Sequence, residues 1–422
     1  MAAIDLSAAK PRGRQVRIGD LYGKFTFASA VLFAVVEIAY FGAWKHPSFW
    51  LPSWDAIDAV IGRDFLNIWM GGRAAFAGGP AAWFDVDAYN AAIRALLAPN
   101  PLNDYRYYWS YPPDIELFTW PFGLMPYLMA YVSWSVLGIV AFVATAARVG
   151  GIERKNLPFL ALAPAVAVTV FFGQNGLFTA ALLIGGLAML ERKPILAGVL
   201  FGVLTLKPQL GILLPIVLLL RGRWRTIAAA AATAVVLIAV TALLYGPEIW
   251  IEYLRKVGAQ QTWVLDHAGG NLVPSALYAA RELGLSFPVA WTAQIVESAL
   301  ALAAVVWTFA RRRDEVLSWA LLSTAIFLFT PYSYCYDMVV LAWVAALLRQ
   351  RNDNSAFDHC LILAVWVLPV AMMLVGVTLH VPLGIIVLPL FVARLVWRLA
   401  RTPAMMESCV RHDEPAMLAH RG

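Results

Sequence analysis

Nearly unbroken apolar runs alternate with short polar turns along most of the chain. They cover 25–44, 127–147, 157–172, 177–190, 194–206, 209–220, 226–245, 288–310, 316–330, 338–348, 360–379 and 383–400. Such runs form helices, and about 20 residues suffice to cross a hydrocarbon core roughly 30 Å thick. The pattern predicts an all-α polytopic membrane protein with about 12 transmembrane segments, within a range of about 10 to 13. The run 194–220 is interrupted by Lys207-Pro208, which makes it either two spans or one bent re-entrant unit. Two stretches, 45–125 and 246–287, are long, polar and aromatic, and are expected as loops between spans. In the first, Asp64–Met70 is expected as a short helix broken by Gly71-Gly72. A second helix should start at an Asp85 or Asp87 cap, with Tyr89, Ile93, Leu96 and Leu97 as its apolar stripe and Asn90 and Arg94 off it. Helices of this kind lie in the membrane interface.

Composition narrows the class. Of 422 residues, 61% are hydrophobic and only 14% charged, and the mean hydropathy is +0.70. That charge cannot cover a water-soluble fold, and a disordered chain needs the opposite balance. Three scattered cysteines, Cys335, Cys360 and Cys409, indicate neither a disulfide framework nor a zinc site. The net charge of +6 would suggest nucleic acid in a soluble protein; here it is distributed as topology. With the N-terminus inside, every short inner turn is basic: Arg148, Arg154 and Lys155; Arg192-Lys193; Arg221, Arg223 and Arg225; Arg311 to Arg313; Arg349 and Arg351. The N-terminal Lys10, Arg12, Arg14, Arg17 and Lys24 precede a full-length apolar run, unlike a cleavable signal peptide. The expected plan is a basic cytoplasmic tail (1–24), one transmembrane domain (25–400) and a cytoplasmic tail (401–422), in a bacterial inner membrane. No nucleic-acid partner is expected.

The segments assigned to the outer face hold the unusual residues. The first loop carries Asp55, Asp58, Asp64, Asp85 and Asp87, and the aromatic run Tyr105, Tyr107, Tyr108, Trp109, Tyr111 ahead of Pro112-Pro113. Three short turns carry Gly173-Gln174-Asn175-Gly176, Lys207-Pro208-Gln209 and Thr330-Pro331-Tyr332-Ser333-Tyr334-Cys335-Tyr336-Asp337; the loop 246–287 adds His267 and Asn271. Polar groups in very short turns between apolar runs are costly unless paired or used. One face thus collects carboxylates, amides, a lysine and aromatic rings. An enzyme using a lipid-linked sugar needs those parts: a base for the acceptor hydroxyl, cation and amide donors for the phosphate, and rings to carry the sugar. The rival reading, a transporter or flippase, would place ionisable groups near mid-membrane on two related halves. No internal repeat is visible.

The order of these parts resembles family 87 glycosyltransferases over about residues 60 to 350. The resemblance rests on Asp64-Phe65 with Trp69 and Gly72-Arg73-Ala74, Tyr111-Pro112-Pro113 with Pro121, Gly173-Gln174-Asn175-Gly176, Lys207-Pro208-Gln209 and Thr330-Pro331-Tyr332-Ser333. It implies a GT-C membrane enzyme that transfers a hexose, typically mannose, from a polyprenyl-phosphate donor outside the cytoplasm, with inversion. It also implies a glycolipid or glycan acceptor and no cofactor. In the last turn, where mannosyltransferases of the family often carry His, this chain has Tyr336-Asp337.

The family position makes Asp64 the candidate general base, although Asp is also a good helix N-cap. Lys207 is the candidate phosphate partner, or a lysine snorkelling to the interface. Gln174, Asn175, Gln209, Arg73, Tyr336 and Asp337 are candidates for donor binding. Tyr108, Trp109, Tyr111, His267 and Asn271 are candidates for the sugar and acceptor, with an interfacial aromatic belt as the plainer account of the rings. Asp85-Val86-Asp87 imitates a metal motif but is better explained as a helix cap, and no metal is expected. Glu37 and Glu297 fall within spans and are read as interhelix contacts rather than a proton path.

Overall fold

The computed structural model describes residues 12–42, 45, 48–54, 59–77, 83–97, 106–267, 272–311 and 314–401. Apart from isolated bridges joining Trp54 to Lys45 and to Val60, the described residues hold no β-structure. In chain order the helices are α1 (Arg12–Gly42), α2 (Phe65–Ala77), α3 (Val86–Leu97), α4 (Glu116–Gly123), α5 (Tyr127–Arg148), α6 (Leu157–Ala161), α7 (Pro164–Phe172), α8 (Gly176–Met189), α9 (Pro194–Val203) and α10 (Pro208–Gly211). They continue with α11 (Leu214–Leu220), α12 (Trp224–Tyr245), α13 (Glu248–His267), α14 (Ala276–Glu282), α15 (Phe287–Ala310), α16 (Glu315–Phe329), α17 (Val339–Arg349), α18 (Ala356–Ala371), α19 (Val377–Leu379) and α20 (Leu383–Arg401).

Over the described residues each of the twelve apolar runs is helical, but length and composition do not mark every one as a membrane span. Among the described residues, five helical segments are long and apolar enough: Tyr127–Arg148, Trp224–Tyr245, Phe287–Ala310, Ala356–Leu379 and Leu383–Arg401. A sixth would be Arg154–Ala161 with Pro164–Phe172, bent by 44° at the break. Five further apolar helices have 10–17 residues. The short ones include the innermost: every α17 residue from Val339 to Leu348 is buried, as is α16 from Leu317 to Leu328. Hydropathy alone does not separate a buried helix from a spanning one, since both are apolar all round.

The outer surface is apolar as well. Along α12, Val235, Val236 and Ile238 face outward, and Leu243 and Leu244 are 86% and 62% exposed. Rows of exposed Met, Val, Leu and Ile also run along α5 and α15. Contiguous apolar cover of this extent marks a surface that lipid, not water, covers. With several spanning helices, the chain is a polytopic, membrane-embedded protein. Small residues let its helices approach closely: a Cβ on Gly198 would meet Ala229, and one on Gly202 would meet Thr233, so α9 lies directly on α12.

One helical hairpin, α16 and α17, sets the direction of the bundle. α16 starts at Asp314, whose side chain caps it by accepting from Leu317 N, and leads to the turn beginning at Thr330. α17 returns from that turn to Arg351, which donates to Asp314 at 2.9 Å. At this same end Arg394 grips Asp358 through two 2.9 Å bonds, and Arg398 pairs with Asp353. The basic turns therefore gather at one end, and the polar turns that follow α7 and α16 at the other.

The first loop differs from its expected form. Gly71-Gly72 does not end α2, which runs on to Ala77. The two glycines are instead the crossing point with α4: a Cβ on Gly72 would strike the Thr119 carbonyl and Gly123 backbone, and one on Gly71 the Trp109 ring. Asp85 does cap α3, accepting from Asp87 N at 3.0 Å and Ala88 N at 2.9 Å. Tyr89, Ile93 and Leu97 are buried as the stripe requires, but so is Asn90. Its amide reads the backbone of Tyr107, donating to the carbonyl (2.8 Å) and accepting from the N–H (2.9 Å). An aromatic cluster of Phe65, Trp69, Tyr127, Tyr131 and Trp134 fixes α2 to α5, helped by Tyr127 Oη to Ile61 O (2.6 Å) and Trp69 Nε1 to Met125 O (3.0 Å). Glu297 on α15 accepts from Ala276 N at 2.8 Å. It thus satisfies an N-terminal amide of α14, an interhelix contact as expected.

Candidate active site

Three turns and the start of α2 build one site. α7 ends in a left-handed Gly173 (φ 64°), where a Cβ would run into Phe65. Gln174 and Asn175 follow, and α8 begins at Gly176, which lies against the Tyr336 carbonyl with no room for a Cβ. Thr169 Oγ1 donates to that same carbonyl at 2.7 Å, so the 173–176 and 335–337 turns are locked together. Lys207 separates a 3-10 turn, Leu204–Leu206, from α10. Pro208 opens α10, a position whose missing N–H breaks no helical bond. The last turn is held by Asp337, which accepts from Tyr334 N at 3.0 Å.

These pieces enclose a cavity of about 460 Å³. Asp64, Gln174 and Lys207 supply charged and amide groups; Tyr107, Tyr108, Tyr111, Tyr253, Tyr332, Tyr334 and Tyr336 supply aromatic walls. Leu206, Pro208, Ile212 and Val257 form an apolar side, Asn67, Arg106, Gln209 and Gln261 add further polar groups, and Ser110, Pro112 and Thr330 complete the lining. Tyr334 and Tyr336 stack with rings 5.1 Å apart.

Asp64 is held by a chain of hydrogen bonds. Tyr111 Oη donates to Gln174 Oε1 (2.9 Å), and Gln174 Nε2 donates to Asp64 Oδ2 (2.8 Å). Burial keeps the Tyr111 hydroxyl protonated and able to donate. It also raises the Asp64 carboxyl above the usual Asp range, opposed by the Gln174 bond and the Lys207 and Arg63 charges. A carboxylate made more basic while facing a cavity is suited to accept a proton.

Lys207 is buried, and its ammonium donates to Asn175 Oδ1 (3.0 Å) and to Asp337, with which it forms an ion pair. It also lies 5.1 Å from the centre of the Tyr336 ring. Beside the cavity, burial pushes Glu116 up to about 8 and Asp114 up to about 6.

Of the residues singled out in the sequence, Asp64, Gln174, Lys207, Gln209, Tyr108, Tyr111 and Tyr336 line this cavity. Asn175 and Asp337 sit behind the lysine and hold it. Trp109 is buried behind the wall with its ring 5.4 Å from Tyr111. Arg73 is elsewhere, stacked 4.7 Å over Trp69 in a separate groove with Trp83 and Phe76. The side chain of His267, the whole of Asn271, Asp55 and Asp58, and the side chain of Glu37 lie outside the described residues. Sequence reasoning passed over Arg106 and the α13 residues Tyr253, Val257 and Gln261. The last three recur at every fourth position and share one helix face, a signal that was legible.

Fold and cavity together define a membrane-embedded helical protein with a polar, tyrosine-walled chamber at one end of its bundle. The chain matches the model of glycosyltransferase family 87 over residues 109–331, more than half its length, and belongs to that family. It is thus a membrane glycosyltransferase, acting on a sugar donor and an acceptor. Trp109, Tyr111, Gln174, Asn175, Lys207 and Gln209 fall within the match; Asp64, Tyr336 and Asp337 lie outside it. No curated protein and no solved structure matches the chain.

Proposed function

We propose that the cavity transfers a hexose, mannose in the first instance, from a polyprenyl-phosphate donor to an acceptor hydroxyl with inversion. The acceptor oxygen attacks the anomeric carbon on the side opposite the phosphate. The bond from that carbon to the phosphate oxygen breaks, its electron pair stays with the phosphate, and Asp64 takes the hydroxyl proton. Lys207 offers its ammonium to the departing phosphate, Gln174 aims Asp64, and Asn175 and Asp337 orient the lysine. Tyr108, Tyr111 and Tyr336 present rings and hydroxyls to the sugars, with Gln209 beside them. Leu206, Pro208, Ile212 and Val257 guide the polyprenyl chain. Trp109 buttresses Tyr111, and Arg73 stays outside the reaction. The working unit is the single domain 25–400 in a bacterial inner membrane, with both termini cytoplasmic and the cavity facing the periplasm.

The observation that carries this reading is one chamber holding a raised carboxylate and a buried cation, linked through the adjacent residues Gln174 and Asn175. The test uses the full chain in lipid nanodiscs with radiolabelled polyprenyl-phosphate mannose, then glucose and arabinose donors, and a membrane extract as acceptor. Asp64→Asn should lower transfer by about 10²- to 10⁴-fold while donor binding persists. Transfer at the wild-type rate in Asp64→Asn would remove the residue as base. Solute uptake into sealed vesicles, without transfer from any donor, would favour a transporter instead.

A further inference from the structure

The cavity's charge does not balance a bound phosphate. The Lys207 ammonium is already paired with Asp337, and Asp64 adds a second carboxylate. With Asp64 ionised, these three groups carry a net single negative charge; Arg63, whose charge also acts on Asp64, is stacked 4.7 Å over the Phe171 ring and is not among the lining residues. A sugar phosphodiester brings another, and its phosphate gains more as the glycosyl bond breaks. Desolvated like charges repel strongly, so the site needs a second cation.

Among the described lining residues the other cation is Arg106. Its guanidinium pairs with Asp87, but the pair is open to solvent: the side chains are 47% and 89% exposed. A solvent-screened pair of this kind contributes little and is readily exchanged. The backbone next to Arg106 is fixed, in contrast to its head group. Tyr107 is bonded at both N–H and carbonyl to the buried Asn90. The Tyr108 carbonyl faces the amide of Asn67, another lining residue, at 3.5 Å. The planar fork of Arg suits two phosphate oxygens at once.

We propose that Arg106 is the second phosphate-binding residue of the donor site: its guanidinium leaves Asp87 and takes two oxygens of the lipid-linked phosphate. Asp87 is a placeholder for the anion when the site is empty, and Lys207 keeps its pair with Asp337. This deepens the polyprenyl-phosphate reading above and rests on it.

The experiment measures binding of polyprenyl phosphate, with uncharged polyprenol as control, to the full-length chain in nanodiscs. Wild type, Arg106→Gln, Arg106→Lys and Asp87→Asn are compared, each checked for unchanged thermal unfolding. Arg106→Gln should weaken polyprenyl phosphate by about tenfold or more and leave polyprenol unaffected, with Arg106→Lys in between. Asp87→Asn should bind as tightly as wild type or tighter, because the competing carboxylate is gone. A merely structural ion pair would make Asp87→Asn and Arg106→Gln equally weak, and that result overturns the proposal. So does Arg106→Gln binding as wild type does. Both outcomes leave the donor reading intact, whereas a wild-type protein that binds no polyprenyl phosphate removes the donor reading and the Arg106 role together.

Discussion

Asp64 owes its character to its neighbours more than to itself. Burial makes its carboxyl a stronger base, while the Gln174 amide stabilises the ionised form. Removing that amide should therefore move the acid limb of the pH–rate profile upward. Gln174→Leu is expected to shift it to higher pH and lower the rate near neutrality; an unmoved limb would show that Gln174 does not act through Asp64. Burial acts on Glu116 in the same direction. Its carboxyl is held up to about 8 against an ordinary 4.5, so the folded state binds the proton more tightly than the unfolded chain. Its stabilising effect is complete below about pH 4.5 and fades as pH rises through about 8. Glu116→Gln should remove that dependence, so its thermal unfolding temperature gains on wild type steadily from pH 5 to pH 9. Parallel curves would mean that Glu116 is already ionised in the fold.

At the scale of elements, the site depends on short helices meeting through small residues. α2 delivers Asp64, and its angle is fixed where Gly72 lies on the backbone of α4. Gly72→Val would force the two helices apart at a cost of about 1–3 kcal/mol, the usual range for overpacking. The expected outcome is a lowered unfolding temperature together with loss of transfer. A stable, fully active Gly72→Val would refute the claim that this crossing sets Asp64. The same logic explains why a glycine pair expected to break a helix does not. Glycine weakens a helix by about 1 kcal/mol against alanine, and the contacts made through its missing Cβ outweigh that.

For the whole molecule, the hairpin of α16 and α17 places basic groups at one end and the cavity at the other. Single cysteines introduced at Gln261, on the cavity wall, and at Lys155, in a basic turn, should react from opposite sides of an intact membrane. An impermeant thiol reagent added outside should label position 261 and reach position 155 only after permeabilisation. Labelling of both from one side would dismantle the proposed orientation.

The sequence by itself determined where the apolar helices are, though not α4, α13 or α14, and which turns carry polar groups, because apolar runs and the cost of polar groups between them are local properties. It also singled out the polar heart of the cavity: Asp64, Gln174 and Lys207 were conspicuous in unusual settings. Tertiary structure decided how many helices are long enough to cross and how many are buried inside, since both kinds look alike to hydropathy. It decided that Gln174 meets Asp64 across 110 residues and Lys207 meets Asp337 across 130. It also turned Arg73 onto Trp69, Trp109 behind the wall and α13 toward the chamber. Which way a side chain faces depends on helix phase and on the packing of distant elements, and neither is written in the spacing of residues along one segment.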